Sequence, residues 1–199
     1  MTRPASRPIV LASTSPGRRA VLARLGLAFD ACAPDFDESV LPDGLAPEAI
    51  ARAFAEGKAR GVRALPAGAL VIGADQVLEH AGAIVRKTTS LDDAVDQLAR
   101  LSGSTHSLHA GLAILDTATG AIRSEVVTVR LRMPAHSRSA IESYVAREQP
   151  VGSAGGYFYE GGGVALFESV EGGDDSAIVG LPLVPLCRLL RASGVEPLL

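Results

Sequence analysis

Leu70-Val71-Ile72-Gly73-Ala74 is an unbroken apolar run that ends on Asp75 and Gln76. A run of this kind suits an interior strand, and interior strands belong to sheets covered by helices. An acid directly after such a strand is difficult to bury without a partner. Asp75 is therefore expected at the carboxyl end of the strand, meeting a cation, a donor or the crevice where α/β proteins bind ligands.

Strand and helix patterns alternate around this run, which predicts an α/β class with a mixed sheet. Pro8 to Ala12 reads as a short strand, and Arg18 to Leu25 as a helix closed by Gly26. Ala28 to Ala33 resumes in extended form before an acidic loop, Pro34 to Gly44. Pro47 opens a second helix running to about Ala64, with Glu48 in its first turn. His80-Ala81-Gly82 marks a hairpin, and Ser90 with Asp93 a capping pattern for a helix to about Leu101. Two strands, Ser107 to Leu115 and Ala121 to Met133, face each other across Thr117 to Gly120. A helix from Ser137 to Glu148 precedes a glycine-dense stretch, Gly152 to Gly163, where backbone can approach a ligand closely. Val164 to Val170 reads as a strand, Gly172 to Ser176 as a turn and Leu181 to Ala192 as a closing helix. No repeat or composition shift marks a boundary, so residues 1–199 are read as one domain.

With 47% hydrophobic residues, the 199-residue chain is neither disordered nor a disulfide-stapled miniature. A formal charge of −3 argues against a bulk electrostatic grip on nucleic acid, so any phosphate chemistry must be local. Cys32 and Cys187 fit no metal or disulfide pattern and point to a reducing compartment. The N-terminal apolar stretch Pro8 to Ala12 is too short for a signal core, and the longest apolar run, Ala177 to Leu190, falls short of a bilayer span. The expectation is a soluble cytoplasmic protein that binds neither membrane nor nucleic acid.

Three groups of residues could carry chemistry. Ser13-Thr14-Ser15-Pro16-Gly17-Arg18-Arg19 is a polar loop that opens a helix; free amides, hydroxyls and two guanidiniums there suit phosphate oxygens, or simply cap the helix. Asp75, with Asp37 and Glu38 of the acidic loop, offers carboxylates of the kind that hold Mg²⁺ or Mn²⁺ beside substrate phosphates, although Asp37 and Glu38 taken alone read as solvated loop charges. Lys58 and Lys87 are the third group. All but two of the 19 basic residues are arginines, so these lysines suggest places where a compact ammonium fits and a planar fork does not, or else chance. The histidines show neither metal spacing nor a nucleophile elbow, and His106 and His109 are read as strand residues bonded to nearby backbone.

Together these pieces resemble the Maf family of nucleoside triphosphate pyrophosphatases over nearly the whole chain. Leu11-Ala12-Ser13-Thr14-Ser15-Pro16-Gly17-Arg18-Arg19 is similar to the family's L-A-S-x-S-P-x-R-R opening, Asp37-Glu38 to its D-E and Lys58-Ala59 to its K-A. Gly73-Ala74-Asp75 is similar to G-[AS]-D, and Lys87 to the lysine of G-K-P. Leu101-Ser102-Gly103 with His106, Ala154-Gly155-Gly156-Tyr157 and Val179-Gly180-Leu181-Pro182-Leu183 complete the series in order. Gly73 to Val77, Glu160-Gly161, Leu166-Phe167-Glu168 and Leu186 to Leu190 look like the branch that hydrolyses 7-methyl-GTP rather than the branch acting on dTTP and UTP. Two positions depart from the pattern. Gly17 stands where a bulkier, often aromatic residue is expected, and Arg86-Lys87-Thr88 replaces G-K-P.

The resemblance implies an elongated mixed β-sheet flanked by helices, in two lobes around a central cleft, as in Maf and ITPase-like folds. It implies a house-cleaning hydrolysis of a nucleoside triphosphate to monophosphate and pyrophosphate, and suggests a homodimer. Asp75 would accept the proton; Ser13, Ser15, Arg18, Arg19, Lys58 and Lys87 would hold the substrate. Glu38 and Asp75 would place Mg²⁺ or Mn²⁺, while Gly17, Gln76 and Glu160 would tune base choice. A dTTP/UTP-type pyrophosphatase and a non-catalytic nucleotide sensor of cell division stay open as alternatives.

Overall fold

The computed structural model describes residues 7–39 and 44–198; part of the acidic loop, 40–43, lies outside them. Among the described residues the sheet has seven strands: β1 (Ile9–Ala12), β2 (Asp30–Cys32), β3 (Leu70–His80), β4 (Ala83–Val85), β5 (Thr105–Asp116), β6 (Ile122–Arg132) and β7 (Ser169–Glu171). Their order is β2-β1-β3-β5-β6-β7, with β4 paired to β3. The helices are α1 (Pro16–Ala23), α2 (Pro47–Arg60), α3 (Leu91–Leu101), α4 (Arg138–Glu148), α5 (Asp175–Val179) and α6 (Leu183–Ala192). β1 runs parallel to β2 and β3, and the remaining pairs are antiparallel. The sheet is mixed, as expected.

β3 organises the molecule, and it is longer than its apolar run. It continues through Asp75 and Gln76 to His80, because β5 pairs with it without interruption from Leu70↔Asp116 to Glu79↔Ser107. Asp75 is therefore in mid-strand, not at a strand end. The other edge of β3 is divided. β1 pairs with Leu70 to Ile72, and β4 with Leu78 to His80. Between them, residues 73–77 have no strand neighbour on that edge among the described residues. The cleft opens at this break.

Alternation along β3 assigns its side chains to two faces. Leu70, Ile72 and Ala74 pack with Leu22, Leu186 and Leu190 of α1 and α6. Farther along the same face, Leu78 packs with Leu98 and Leu101 of α3 and Ile141 and Val145 of α4. These two clusters are the two lobes. The opposite face carries Val71 and Val77 against α2, through Ala55 and Ala59 at one end and Ile50 and Phe54 at the other.

α2 lies unusually close to the sheet because two strand residues lack side chains. A Cβ on Gly73 would fall 2.0 Å from the Ala55 carbonyl oxygen, and one on Gly111 would fall 2.1 Å from that of Ala51. Gly111 is the β5 partner of Asp75, so the helix descends to backbone contact beside the acid.

Several element boundaries differ from the sequence-based expectations. α1 starts at Pro16, because the Ser15 hydroxyl accepts from the Arg18 amide and caps the helix there. α2 stops at Arg60 rather than near Ala64, since the Gly61 carbonyl accepts from the Asp35 amide of the acidic loop. The strand expected at Val164 to Val170 is a 3₁₀ turn, Gly162–Leu166, followed by the short β7. The turn expected at Gly172 to Ser176 becomes α5, whose first amides bond the Asp174 carboxylate. α3 is capped as read: the Asp93 amide donates to Ser90 Oγ, and the Asp93 carboxylate reaches back to the Thr89 amide. No helix among the described residues is long and apolar enough to cross a membrane.

Candidate active site

The cleft at the break in β3 has a volume of about 770 Å³, within the ordinary range for small-molecule sites. Its floor is a charge cluster built on a buried Lys58–Asp75 pair. Lys58 Nζ lies 2.6 Å from Asp75 Oδ1 and 3.0 Å from Glu38 Oε2, and Lys58 and Asp75 are only 4% and 5% exposed. Lys87 Nζ sits 3.6 Å from the same Glu38 oxygen but is largely exposed, at the mouth. Burial would raise the Glu38 pKa, but the charge and hydrogen bond of Lys58, then Lys87 and Arg18, outweigh it and hold the carboxyl below its usual range.

Two packing details deliver these groups. Lys58 occupies the apolar stripe of α2 formed by Ile50, Ala51, Phe54, Ala55 and Ala59, so its ammonium must reach the sheet, where Asp75 meets it. The helical spacing of that stripe carries the signal of Lys58 burial in the sequence itself. Glu38 arrives through Phe36, whose ring packs edge-on against Phe54 at 5.4 Å and covers Gly57, where a Cβ would fall 2.1 Å from the ring. Gly57 and Phe36 act together over a sequence distance that no local pattern reveals.

The polar loop before α1 lines the cleft through Ser13, Thr14, Ser15, Gly17 and Arg18. Its anion cradle is narrower than the sequence suggests. Pro16 has no amide proton and the Arg18 amide is spent on Ser15, which leaves the Gly17 amide without a partner among the described residues. Ser13 Oγ accepts from the Ser15 amide, so both hydroxyls keep their protons for a ligand. Arg18 is partly buried and donates from Nε to the Gly180 carbonyl at 3.1 Å. Burial pushes its guanidinium below the usual value, against the charges of Asp75 and Glu38. Arg19 is exposed and is not among the cleft-lining residues, and neither is Asp37, which bonds the Ser39 amide.

Gln76 faces the other side of β3. Its Nε2 donates to the Ala177 and Ile178 carbonyls of α5, which fixes the amide and leaves Oε1 as the atom available to a ligand. Glu160 is exposed on the cleft wall, and a Cβ on Gly17 would lie 3.1 Å from its Oε1. Gly17 thus makes room for Glu160. The aromatic surface missing at position 17 is present elsewhere, since Tyr157, Phe158 and Tyr159 line the same cleft.

Thr88, which replaces the expected proline, holds the Lys87 segment in its own way. Its amide donates to the Ser153 carbonyl, its carbonyl accepts from the Gly152 amide, and Oγ1 donates to the Pro150 carbonyl. A proline could form only the second of these bonds.

The histidine expectation needs correction. His106 and His109 are strand residues, but both bond side chains: His106 Nε2 meets the Tyr157 hydroxyl at 2.9 Å, while His109 bridges Thr128 and Glu79. Burial, with a smaller effect of His80, pushes the His106 pKa down from 6.5 to about 4. Tyr157 folds back over Gly155, where a Cβ would be 2.1 Å from its ring. His106 thereby anchors the glycine-rich wall that carries Phe158 and Glu160.

The residues fit a divalent ion of the Mg²⁺ type. Asp75 Oδ2 and Glu38 Oε1 are hard oxygen donors without partners among the described residues. No group of three or more His, Cys, Asp or Glu there could hold a metal alone. Two carboxylates with the remaining ligands drawn from phosphates and water is the usual arrangement for Mg²⁺.

The chain is similar to several known proteins. The chain is 41% identical over 191 residues to the 7-methyl-GTP pyrophosphatase of Nitrosococcus oceani, covering 96% of each. It is 39% identical over 197 residues to the 7-methyl-GTP pyrophosphatase of Hahella chejuensis, covering 98% of this chain and 99% of the relative. Part of the fold, 64% of this chain and 72% of the other, also aligns with the Staphylococcus aureus Ham1 protein at 18% identity and a TM-score of 0.43. Residues 8–193 match the family described as Maf-like protein, and the chain belongs to the Maf family.

Proposed function

We propose that this chain hydrolyses a nucleoside triphosphate to the monophosphate and pyrophosphate, with a 7-methylated guanine nucleotide as preferred substrate. The observation that carries the reading is the buried Lys58–Asp75 pair, bridged to Glu38, at the floor of a nucleotide-sized cleft. The names of the relatives at 41% and 39% identity support the substrate. An enzyme of this kind acts in the cytoplasm, where its two cysteines stay reduced.

Arg18, the Ser13 and Ser15 hydroxyls and the Gly17 amide bind the phosphates from the α1 side, and Lys58 and Lys87 from the other side of the mouth. Arg19 contributes charge at longer range. Asp75 orients a water for attack on the α-phosphorus and takes its proton, which suits a base positioned within reach of the reacting group. Asp75 and Glu38 would hold Mg²⁺ or Mn²⁺, which when bound would neutralise charge developing on the phosphates. The protein does little covalent work; positioning and electrostatics lower the barrier.

At the other end of the cleft, the Glu160 carboxylate accepts from the N1 and N2 donors of a guanine edge. Gln76 Oε1 adds an acceptor. Phe158 and Tyr159 offer π faces to a cationic methylated base. Gly17 leaves space in which Glu160 can meet that edge.

Purified protein with Mg²⁺ or Mn²⁺ and a panel of 7-methyl-GTP, GTP, UTP, CTP and dTTP tests the reading by pyrophosphate release. The expected ranking places 7-methyl-GTP first. Preference for UTP and dTTP would move the chain to the other branch of the family. Binding without any pyrophosphate release would favour a sensor, and orthophosphate release a different hydrolase.

A further inference from the structure

We infer that Lys58 holds the place of the divalent ion between Asp75 and Glu38, so that the ion binds together with the nucleotide and not before it. This rests on the reading of the cleft as a metal-assisted nucleotide site. It concerns what the chain does before substrate arrives.

The Lys58 ammonium touches one oxygen of each carboxylate, at 2.6 Å and 3.0 Å, and is almost completely buried. A cation that bridges the two acids through Asp75 Oδ1 and Glu38 Oε2 has to displace it, and one that takes the free Oδ2 and Oε1 instead sits beside an ammonium held by the same two carboxylates. The immediate surroundings of the two acids are also unfavourable, although Glu148 and Glu160 line the cleft as well. Two carboxylates face three cations, because Arg18 acts on both acids and Lys87 lies beside Glu38. A free divalent ion therefore enters a cluster that is net positive, and finds only two carboxylate ligands when it arrives. Around the buried Lys58–Asp75 pair this repulsion is stronger than it would be in water, while Glu38 and Lys87 stand at the exposed side.

A triphosphate changes both terms. Its charge reverses the sign of the local field, and its oxygens complete the coordination sphere that the protein leaves open. It also gives Lys58 a new partner. A flexible four-carbon stem with three donors can turn from a carboxylate to a phosphate, releasing Asp75 Oδ1, whereas a rigid guanidinium fork seated between two acids could not make that exchange as readily. Lys58 is thus an internal counter-ion in the empty protein and a phosphate ligand in the complex.

Water-proton relaxation with Mn²⁺ distinguishes free ion, ion on protein and ion on protein with nucleotide, without requiring turnover. The full chain is titrated with Mn²⁺ alone and with Mn²⁺ plus the α,β-methylene analogue of GTP, for the wild type, Lys58→Met and Lys58→Gln. The wild type is expected to bind Mn²⁺ at least ~10-fold more weakly without the analogue than with it. Both variants should bind Mn²⁺ alone at least ~10-fold more tightly than the wild type does, and Mn²⁺ alone should raise their melting temperatures but not that of the wild type. Equal wild-type affinity with and without the analogue would overturn the inference. So would folded variants, checked by circular dichroism, that gain no affinity. If no form binds Mn²⁺ even with the analogue, the metal–nucleotide reading itself fails.

Discussion

Replacing Gly73 by alanine tests whether the close seating of α2 on β3 is what joins Lys58 to Asp75. A Cβ at this position would lie 2.0 Å from the Ala55 carbonyl oxygen and 2.7 Å from the Ala59 amide nitrogen. Both atoms are helix backbone, so no rotamer change relieves the clash. Helix and strand must separate by about 1 Å before the closest contact reaches even 3.0 Å. Overpacking at this severity costs about 3 kcal/mol. In a chain of this size that lowers the melting temperature by about 6–12 °C. The same displacement carries Lys58 away from Asp75, and a misplacement of about 1 Å can reduce turnover by about 100-fold. Calorimetry and pyrophosphate release measure the two effects. Gly68→Ala is the control: its φ is +69° with nothing within 4 Å, so it brings about 1–2 kcal/mol of left-handed strain and leaves kcat unchanged. A Gly73→Ala protein that melts with the wild type and turns over normally would refute the coupling of helix seat to site.

The remaining predictions concern single groups. Asp75→Asn keeps the shape of the side chain but removes the base, so kcat should fall by about 100-fold or more with nucleotide affinity largely kept; near-normal turnover would remove Asp75 from its role. Lys58→Arg and Lys87→Arg should each impair activity at unchanged charge, Lys58→Arg more severely because its site is buried and Lys87 lies at the mouth. Glu160→Gln should erode the preference for guanine over uracil nucleotides in competition assays, and an unchanged ranking would exclude Glu160 from base reading. For His106 the folded pKa is about 4 and the unfolded value 6.5, so the folded state disfavours the charged ring. Its contribution is complete above pH 6.5 and is lost as pH falls from 6.5 toward 4, about 3 kcal/mol in all. Urea unfolding of wild type and His106→Asn across that window should show the steeper loss in the wild type.

Which residues meet in the cleft is more legible in sequence than how they are placed there. Hydroxyls at a helix start, the two lysines and an acid after an apolar strand each stand out for a residue-level reason, and the structure brings Ser13, Ser15, Arg18, Lys58, Lys87, Glu38 and Asp75 to one cleft. The end of β3 was not legible. Asp75, Gln76 and Glu79 interrupt the apolar pattern, while the pairing that extends the strand comes from β5, far along the chain, out to Glu79↔Ser107. The 3₁₀ turn at Gly162–Leu166 was misread as a strand because a short apolar run has no periodicity of its own. Phe36 on Gly57 and Gly111 beneath Ala51 are contacts between distant segments. They decide where Glu38 and Lys58 stand, and nothing local announces them. Arg19 shares a motif with Arg18 yet turns outward, since adjacent helical residues point about 100° apart.

The central claim is that water, directed by Asp75, attacks the α-phosphorus. Turnover of 7-methyl-GTP in water enriched in heavy oxygen, with both products read by mass spectrometry, tests it most directly. One labelled oxygen is expected in the nucleoside monophosphate and none in the pyrophosphate. Label in the pyrophosphate would place the attack on the β-phosphorus and contradict the account.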